Sequence, residues 1–325
     1  MTMHSSRAEF ERAESLIRQR FAPSRLVKST ALSDRLGADV HLKLECELPT
    51  GSFKVRGAYY ALSRQREGAD VSEVVAASTG NHGAAVAWAA RELGLAAKIF
   101  VPNGANATKI ARIRSLGAEL TESGADIEGA RRAAEAYVAD SGAFLLDDAT
   151  SDDVPIGAGT IGLELLAELP DASAVIVPVG DSALIRGVAA AMKAIRPDVH
   201  VTGVQASGAP AYYRSWKAGT VVTTETADTI ADGLATTRPT DSNVTAIRAL
   251  VDGMVLVDER DMLDAMRWLR AHENIVAEPA GAAAVAVLLN AHAWPFSSTV
   301  ALITGGNVAP DLAMALAGAD PPQTR

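Results

Sequence analysis

The sequence predicts an α/β protein built on parallel sheets with helices on both faces. Short β-branched runs alternate with Ala-rich stretches of helical period over nearly the whole chain. These runs are continuously apolar rather than alternating, which is typical of strands that are buried on both faces. Helices between successive strands are the connections that parallel strands need.

Eight strands follow from this alternation, and helical segments separate most of them. In chain order, the predicted strands are 40–44, 74–77, 98–101, 144–147, 174–179, 199–204, 253–257 and 299–303. The predicted helices include 82–93, 107–116, 127–140, 156–168, 184–195 and 260–272. The charged stretch 1–20 indicates an amphipathic helix rather than a signal peptide.

Composition limits the function classes. A chain of 325 residues, with 48% hydrophobic residues, can bury a large core and suggests about two domains. The net charge of -9 argues against a nucleic-acid partner. The single cysteine, Cys46, excludes an intrachain disulfide, and no run approaches the ~18 apolar residues of a membrane span. We therefore expect a soluble cytoplasmic protein without a membrane partner.

Ligands of open α/β sheets lie beyond the carboxyl ends of the strands, so the Gly-rich turns there are the candidate sites. The first such turn, 50–58, carries Lys54 at the opening of a helix. The positive helix end and a partly apolar wall are expected to lower the Lys54 pKa and to favour a nucleophilic amine. The alternative is a solvated surface lysine.

The second turn, 77–83, joins a predicted strand to a helix. Its hydroxyls, its amide and its free helix N–H groups suit a carboxylate or a phenolate. A simple helix cap would explain Ser78 and Gly80, but not Asn81 and His82 together.

The third and fourth turns complete the set. Backbone N–H groups at the start of the helix after Gly180 would bind a phosphate, although Asp181 or Ser182 could merely cap that helix. In the last turn, the Thr304 hydroxyl can donate to an aromatic nitrogen, and Glu278 opens a nearby helix. Singly, each of these is more often just a turn and a cap.

In this order and spacing, the four turns resemble those of fold-type II pyridoxal-phosphate enzymes, in the subgroup of serine/threonine dehydratases and serine racemases. The specific part is Ser-Phe-Lys-Val-Arg-Gly-Ala at 52–58. Thr-Ile-Ala-Asp-Gly at 229–233, Glu-Pro-Ala-Gly at 278–281 and Gly-Gly-Asn at 305–307 support it. The likeness runs from about residue 42 to residue 307.

The resemblance implies a tryptophan synthase β-like architecture of two open twisted parallel-sheet domains, with pyridoxal phosphate in the cleft between them. Residues 1–49 and 146–325 would form the large cofactor-binding domain, and residues 50–145 a small mobile domain. Relatives are often dimers, so a homodimer is expected.

The resemblance also implies the role of each site residue. Lys54 would form the Schiff base and then take the α-proton of the substrate. The other cofactor-binding residues would be Phe53 beside the ring, Asn81 at the 3′-oxygen, Thr304 at the pyridine nitrogen, Gly180, Asp181, Ser182, Ala183 and Leu184 around the phosphate, and Gly233 and Glu278. Ser78, Thr79, Gly80, Asn81 and His82 would hold the substrate carboxylate.

Two departures from the family pattern affect these expectations. The phosphate loop usually has four glycines, whereas here Asp181, Ser182 and Ala183 follow Gly180. We expect the backbone N–H groups to bind phosphate still and the Asp181 side chain to face outward. Gln205 and Ala211 stand where some relatives place the carboxylates of a cation site, so no metal is expected.

The function implied is a lyase reaction, the β-elimination of a β-hydroxy-α-amino acid such as threonine or serine to a 2-oxo acid and ammonia. A neutral hydroxyl at the ring nitrogen makes a weaker electron sink, which favours prompt loss of the β-hydroxyl. Racemisation is the nearest alternative, because the Thr79 hydroxyl stands where racemases carry one. A larger substrate, phenylserine or a hydroxyectoine-derived amino acid, is a further alternative. A Gly-Asp-Ser esterase is disfavoured, because no histidine follows an Asp by three residues.

Overall fold

A computed structural model describes residues 6–69 and 71–317 and contains two sheets. The strands are β1 (Leu26–Lys28), β2 (Asp39–Lys43), β3 (Glu73–Ala77), β4 (Ala96–Val101), β5 (Glu119–Glu122), β6 (Phe144–Leu145), β7 (Ala174–Pro178), β8 (His200–Ala206), β9 (Gly253–Val257) and β10 (Ser298–Leu302). The large sheet has the order β1-β2-β10-β7-β8-β9, and the small sheet has the order β5-β4-β3-β6.

Helices cover both sheets and connect most of the strands. They are α1 (Arg7–Ile17), α2 (Thr30–Leu36), α3 (Lys54–Gly68), α4 (Asn81–Leu93), α5 (Ala107–Ser115), α6 (Ile127–Ser141), α7 (Asp153–Glu168), α8 (Ala183–Ile195), α9 (Ala211–Ala218), α10 (Asp241–Leu250), α11 (Glu259–Trp268), α12 (Pro279–Leu289) and α13 (Pro310–Ala317). A π-helical turn, Leu269–Glu273, continues α11.

The strand pairing confirms the predicted parallel α/β class. Every named strand pair is parallel except β1 with β2, which is antiparallel. Strand β10 lies in the middle of the large sheet, where Ala301 faces Leu42 of β2 and Ile176 of β7. Strands β7 and β10 are buried along their whole length, as strands covered on both faces should be, although β10 begins with Ser298 and Thr299.

All eight predicted strands are present, and their ends lie within two residues of the predicted positions. The sequence did not reveal β1 and β5, which are short edge strands with charged residues and few apolar ones. Within the predicted helix 1–20, the structure has α1 at Arg7–Ile17, while residues 1–5 lie outside the described part.

A buried ion cluster fixes the start of α3 against α7. The Arg56 guanidinium, 0% exposed, contacts Glu45 at 2.7 Å and Glu164 at 2.7 Å. Lys43 adds a second cation 2.9 Å from Glu164. A Cβ on Gly157 would overlap the Arg56 carbonyl, so a glycine is needed for this close helix approach. Lys54, two residues before Arg56, therefore starts a firmly held helix.

The two sheets are drawn from different parts of the sequence. The small sheet uses strands between residues 73 and 145, and the large sheet uses 26–43 and 174–302. The division into domains at 50 and 145, and the mobility of the smaller one, stay predictions. Over the described ranges, no helix combines the length and the apolar character that crossing a membrane would take.

Candidate active site

The first and the fourth turns form one structure. The Phe53 N–H donates to the Thr304 carbonyl at 3.0 Å, and the Gly306 N–H donates to the Gly51 carbonyl at 2.9 Å. Ser52 and Gly305 form an antiparallel bridge between these hydrogen bonds. The loop that presents Lys54 is thus attached by its backbone to the carboxyl end of the central strand β10.

Lys54 is the first residue of α3, and its side chain is 17% exposed. Its Nζ forms an ion pair with Asp148 and lies 5.3 Å from the centroid of the Phe53 ring. Burial lowers the pKa of Lys54, but the charges of Asp148 and Asp181 outweigh burial and raise it above the ordinary value. The expectation of a lowered Lys54 pKa is wrong, because the sequence did not reveal the two carboxylates.

Asp148 connects the second turn to Lys54, because its carboxylate lies beside both Lys54 and His82. His82 lies in the first turn of α4, and its Nε2 is 2.9 Å from the Leu146 carbonyl. The other ring nitrogen, Nδ1, is 3.7 Å from Asp148 Oδ2. Ser78 does not cap the helix with its side chain; its Oγ accepts from the Gly80 N–H at 3.2 Å. Thr79 and Gly80 are half-buried in the same turn.

The second and the fourth turns are joined by side chains. Asn81 Nδ2 donates to Glu278 Oε1 at 2.7 Å, and Asn307 Nδ2 donates to Asn81 Oδ1 at 2.6 Å. The Glu278 N–H donates to the Gly305 carbonyl at 2.9 Å. Burial raises the pKa of Glu278 to about 7, although the hydrogen bond from Asn81 opposes that rise. Asn307 belongs to the Gly-Gly-Asn motif, from which the sequence alone predicts no contact with Asn81.

The third turn ends β7 and starts α8. Ser182 caps the helix with a positive φ of 73°, and Ala183 and Leu184 are buried in its first turn. A Cβ on Gly180 would overlap the Gly233 carbonyl, so the 229–233 stretch lies directly against this loop. Successive N–H groups around a left-handed residue make a concave anion site at a helix N-terminus.

Asp181 does not face outward, contrary to the sequence-based expectation. Its Oδ1 accepts a hydrogen bond from Thr236 Oγ1 at 3.0 Å, and the charges of Lys54 and Asp148 both act on the pKa of this carboxyl group. Burial and the Asp148 charge raise the Asp181 pKa. One turn further, buried Arg186 donates from Nε to Ser182 Oγ at 3.1 Å. The Thr236 hydroxyl and the Lys54 charge favour the ionised form of this inward carboxyl group, but burial and the Asp148 charge outweigh them.

Sequence reasoning missed Asp148, Thr236 and Arg186. Asp148 had one usable signal, because it follows the carboxyl end of a predicted strand, where ligands of such sheets bind. Thr236 and Arg186 had none, since their roles depend on contacts with residues far away in the fold. Across residues 6–69 and 71–317, His, Cys, Asp and Glu side chains form no group of three suited to a metal ion. Gln205 instead accepts from the Tyr213 N–H at 2.9 Å.

Comparison with known proteins agrees with this geometry. Residues 17–306 match the model of a family described as pyridoxal-phosphate dependent enzyme. The L-threonine ammonia-lyase of Thermotoga maritima is 38% identical over 283 residues, which are 87% of this chain and 71% of that protein. The catabolic L-threonine dehydratase of Escherichia coli K12 is 35% identical over 284 residues, 86% of each. The structure of maize serine racemase superposes with a TM-score of 0.91 at 31% identity, covering 96% of both chains.

Proposed function

Because this chain belongs to the family of pyridoxal-phosphate dependent enzymes, we propose that it eliminates the β-hydroxyl of a β-hydroxy-α-amino acid such as threonine or serine. The products are a 2-oxo acid and ammonia. The observation that carries the proposal is the position of Lys54, whose amine lies where four strand-end turns converge. The identity to threonine ammonia-lyases and dehydratases supports this reaction over others in the family.

The residues present fit the cofactor. A Cβ at Gly180 would meet the Gly233 carbonyl, and a Cβ at Gly305 would meet the Glu278 carboxyl group, so glycine at both positions lets the turns pack closely around the pocket. The buried Ser52 hydroxyl, two residues before Lys54, has no hydrogen-bond partner within the described part of the chain. The N-terminus of α8, with the Arg186 cation one turn further, suits a phosphate dianion.

The holding residues are therefore those of the converging turns. Lys54 would link the cofactor, residues 180–184 would bind its phosphate, and Asn81, Gly233, Glu278 and Thr304 would surround its ring. When bound, pyridoxal phosphate supplies the electron sink that makes the substrate Cα–H acidic.

This chain's own residues move the proton and orient the substrate. The N–H groups and side chains of residues 78–82 would hold the substrate carboxylate at the start of α4. Lys54, as a neutral amine, takes the Cα proton, and the ammonium that results is stabilised by the adjacent Asp148. The β-hydroxyl leaves as water after gaining a proton. The released enamine takes back one water on hydrolysis to the 2-oxo acid and ammonia.

An assay for 2-oxo acid tests the proposal directly. Purified protein loaded with pyridoxal phosphate is given L-threonine or L-serine, and the 2-oxo acid formed is reduced by NADH and a dehydrogenase. We expect ammonia and 2-oxo acid in equal amounts, with loss of at least about 10³-fold in Lys54→Ala. Lys28→Ala is the matched control. Lys28, on β1, forms an exposed ion pair with Asp39 of β2, so this variant should keep full activity. Absence of 2-oxo acid from every β-hydroxy amino acid would refute the proposal.

Racemisation is the second candidate, favoured by the structural likeness to serine racemase and by the Thr79 hydroxyl in the carboxylate-binding turn. Incubation of L-serine in deuterated water separates the two reactions. Racemisation gives D-serine with deuterium at Cα, whereas elimination gives deuterated 2-oxo acid and no D-serine.

Three finer features belong to the same proposal. The enzyme is a cytoplasmic homodimer, and residues 50–145 form a small domain that moves relative to the rest. The separate small sheet formed by β3 to β6 supports the last of these. Light scattering of the purified protein would give the oligomeric state, and hydrogen exchange with and without substrate would report the domain movement.

A further inference from the structure

A β-elimination needs a proton on the departing oxygen as well as removal of the proton on Cα. Lys54 takes the Cα proton, but a hydroxyl is a poor leaving group unless a general acid protonates it as the Cβ–O bond breaks. Such an acid must lie at the lysine pocket and must carry its proton before the reaction starts. The candidates at the converging turns are His82, Asp148, Asp181 and Glu278.

Three of these four groups serve other contacts. His82 Nε2 lies 2.9 Å from a backbone carbonyl, which can only accept, so this nitrogen carries the hydrogen and the Nδ1 edge faces Asp148 at 3.7 Å. Burial raises the pKa of Asp148, but the charges of Lys54 and His82 outweigh burial and bring it well below its usual range. Asp148 is therefore ionised and has no proton to give. Glu278 accepts from Asn81 at 2.7 Å, in the part of the pocket that would surround the cofactor ring.

Asp181 differs from the other three, because it enters the pocket from the large sheet and favours its neutral form. It follows β7, and its Oδ1 accepts from Thr236 Oγ1 at 3.0 Å, so one oxygen fixes the group and the other can carry a proton. Burial raises the Asp181 pKa, and the charges of Asp148 and Asp147 add to this rise. The Lys54 charge and the Thr236 hydrogen bond oppose the rise without cancelling it.

The phosphate loop gives a second reason for a neutral carboxyl group at residue 181. Residues 180–184 would bind the cofactor phosphate at the start of α8, where the Arg186 cation donates to Ser182 Oγ at 3.1 Å. A helix N-terminus and a buried cation stabilise the phosphate dianion, which has no proton left to donate. A carboxylate beside that dianion would be repelled, whereas a neutral carboxyl group would not. Phosphate binding therefore favours the protonated form of Asp181.

The expected position of the substrate brings its β-carbon to the side of Asp181. The substrate carboxylate would be held by residues 78–82, which end β3 of the small sheet and start α4. Asp181 comes from the opposite side, at the end of β7 in the large sheet. Because Cα directs its carboxylate and its β-carbon apart, the β-hydroxyl would point away from the small-sheet turn and towards Asp181.

We propose that Asp181 is the general acid of the elimination, the group that donates a proton to the departing β-oxygen. This inference rests on the proposed function and adds a catalytic residue to it. The Cα–H electron pair becomes the second bond between Cα and Cβ, and the Cβ–O pair leaves with the oxygen, which takes the Asp181 proton and departs as water. Lys54 ends as an ammonium and Asp181 as a carboxylate, so the total charge is unchanged. One proton then returns from Lys54 to Asp181 before the next turnover.

Cofactor affinity reports the charge of Asp181 without any turnover. Asp181→Asn replaces a neutral carboxyl group by a neutral amide whose oxygen can still accept from Thr236. The dissociation constant of pyridoxal phosphate, from a spectroscopic titration, should therefore stay within about threefold of the wild-type value. An ionised Asp181 would repel the phosphate, so its removal would tighten binding by at least about tenfold. Such tightening would overturn the inference, because an ionised carboxylate cannot act as the acid.

A leaving group that needs no proton tests the donor role itself. L-Serine and L-threonine lose their oxygen as water, whereas β-chloro-L-alanine loses chloride and gives the same 2-oxo acid as L-serine. In the Asp181→Asn holoenzyme, kcat/KM for the hydroxy substrates should fall at least about 100-fold, and that for β-chloro-L-alanine by less than about threefold. A structural role would lower both values by a similar factor. That result, or an unchanged value for the hydroxy substrates, would overturn the inference.

Asp152→Asn is the matched control for loss of a negative charge. The exposed Asp152 carboxyl group precedes α7 without capping it, and its charge also acts on Arg186. This variant should keep both kcat/KM values within about twofold. A wild type that releases chloride but converts no β-hydroxy amino acid would refute the proposed function, and the donor role with it. A wild type that converts both substrates, with an equal fall for both in Asp181→Asn, would refute the donor role alone.

Discussion

Asn81 donates to Glu278 across the site, with 2.7 Å between Nδ2 and Oε1, and this contact joins the helix starts of the two sheets. Asn81 begins α4, which follows β3 of the small sheet, and Glu278 precedes α12, which packs on the large sheet. This hydrogen bond therefore connects the part of the fold built on the small sheet with the part built on the large sheet. Burial raises the pKa of the Glu278 carboxyl group that accepts it.

Glu278 should make the cofactor-free protein less stable as pH rises. Its pKa is about 7 in the fold against an ordinary value of 4.5, so the native state keeps a proton that the unfolded chain has lost. The stability is fully present below pH ~4.5 and is lost as pH rises to about 7, a difference of about 3 kcal/mol. The loss of stability is measured as a fall in the denaturant midpoint between pH 4.5 and pH 7. Glu278→Gln should abolish this fall, whereas Glu119→Gln, at an exposed position of β5, should keep it. A fall of equal size in Glu278→Gln would contradict the assignment.

Loss of the Arg56 guanidinium should destabilise the whole fold. Arg56→Met leaves Glu45 and Glu164 buried with less compensating charge, which typically costs 3–5 kcal/mol. Arg56→Lys should be intermediate, because one ammonium cannot serve both carboxylates as a planar guanidinium does. Urea unfolding of the cofactor-free protein gives the free energies. Arg64→Met, on the exposed side of the same helix, should change stability by less than about 0.5 kcal/mol.

A methyl group at residue 180 should weaken cofactor binding. In Gly180→Ala the new Cβ would overlap the Gly233 carbonyl, so the phosphate loop must move away from the 229–233 stretch. We expect the dissociation constant of pyridoxal phosphate to rise at least about tenfold in a spectroscopic titration. Gly68→Ala, where no atom lies within 4 Å of the new Cβ, should bind the cofactor as the wild type does. Unaltered affinity in Gly180→Ala would show that residue 180 does not shape the loop.

Cys46 should be unreactive in the native protein. Burial raises the pKa of this thiol to about 12, and the charges of Glu47 and Glu45 act in the same direction. At pH 8 only about 10⁻⁴ of the thiol is then ionised, and the thiolate is the reactive form. Reaction with a disulfide reagent should be at least about 100-fold slower in buffer than in urea. Similar rates in the two conditions would contradict the raised pKa of this half-buried thiol.

The sequence predicted the elements that bury continuous apolar runs. Strands such as β7 and β10 were found because both of their faces are covered, so most of their residues are apolar. Strand β5 was missed because Glu119 and Glu122 border a single Leu-Thr pair, and β1 because it has only three residues. Edge strands are held mainly by backbone hydrogen bonds to one neighbouring strand. These bonds do not require a pattern of apolar residues, so the sequence does not reveal such strands.

The site was predictable where its chemistry lies in one local motif. Lys54, Asn81 and Thr304 stand in short turns whose residue types are informative by themselves. The charge state of Lys54 was not predictable, because its partner Asp148 lies 94 residues away in sequence. The orientation of Asp181 similarly depends on Thr236, which lies in a loop without regular secondary structure. Long-range pairs of this kind are fixed by the tertiary fold and not by local composition.

The backbone attachment between the Lys54 loop and the end of β10 also has a consequence for biosynthesis. The two segments that form this attachment, residues 51–53 and 304–306, are separated by most of the chain. The pocket therefore cannot form until synthesis has passed residue 306. A partly made polypeptide on the ribosome would therefore have no way to retain the cofactor. Once captured, the cofactor should stabilise the complete fold cooperatively rather than any single segment of it.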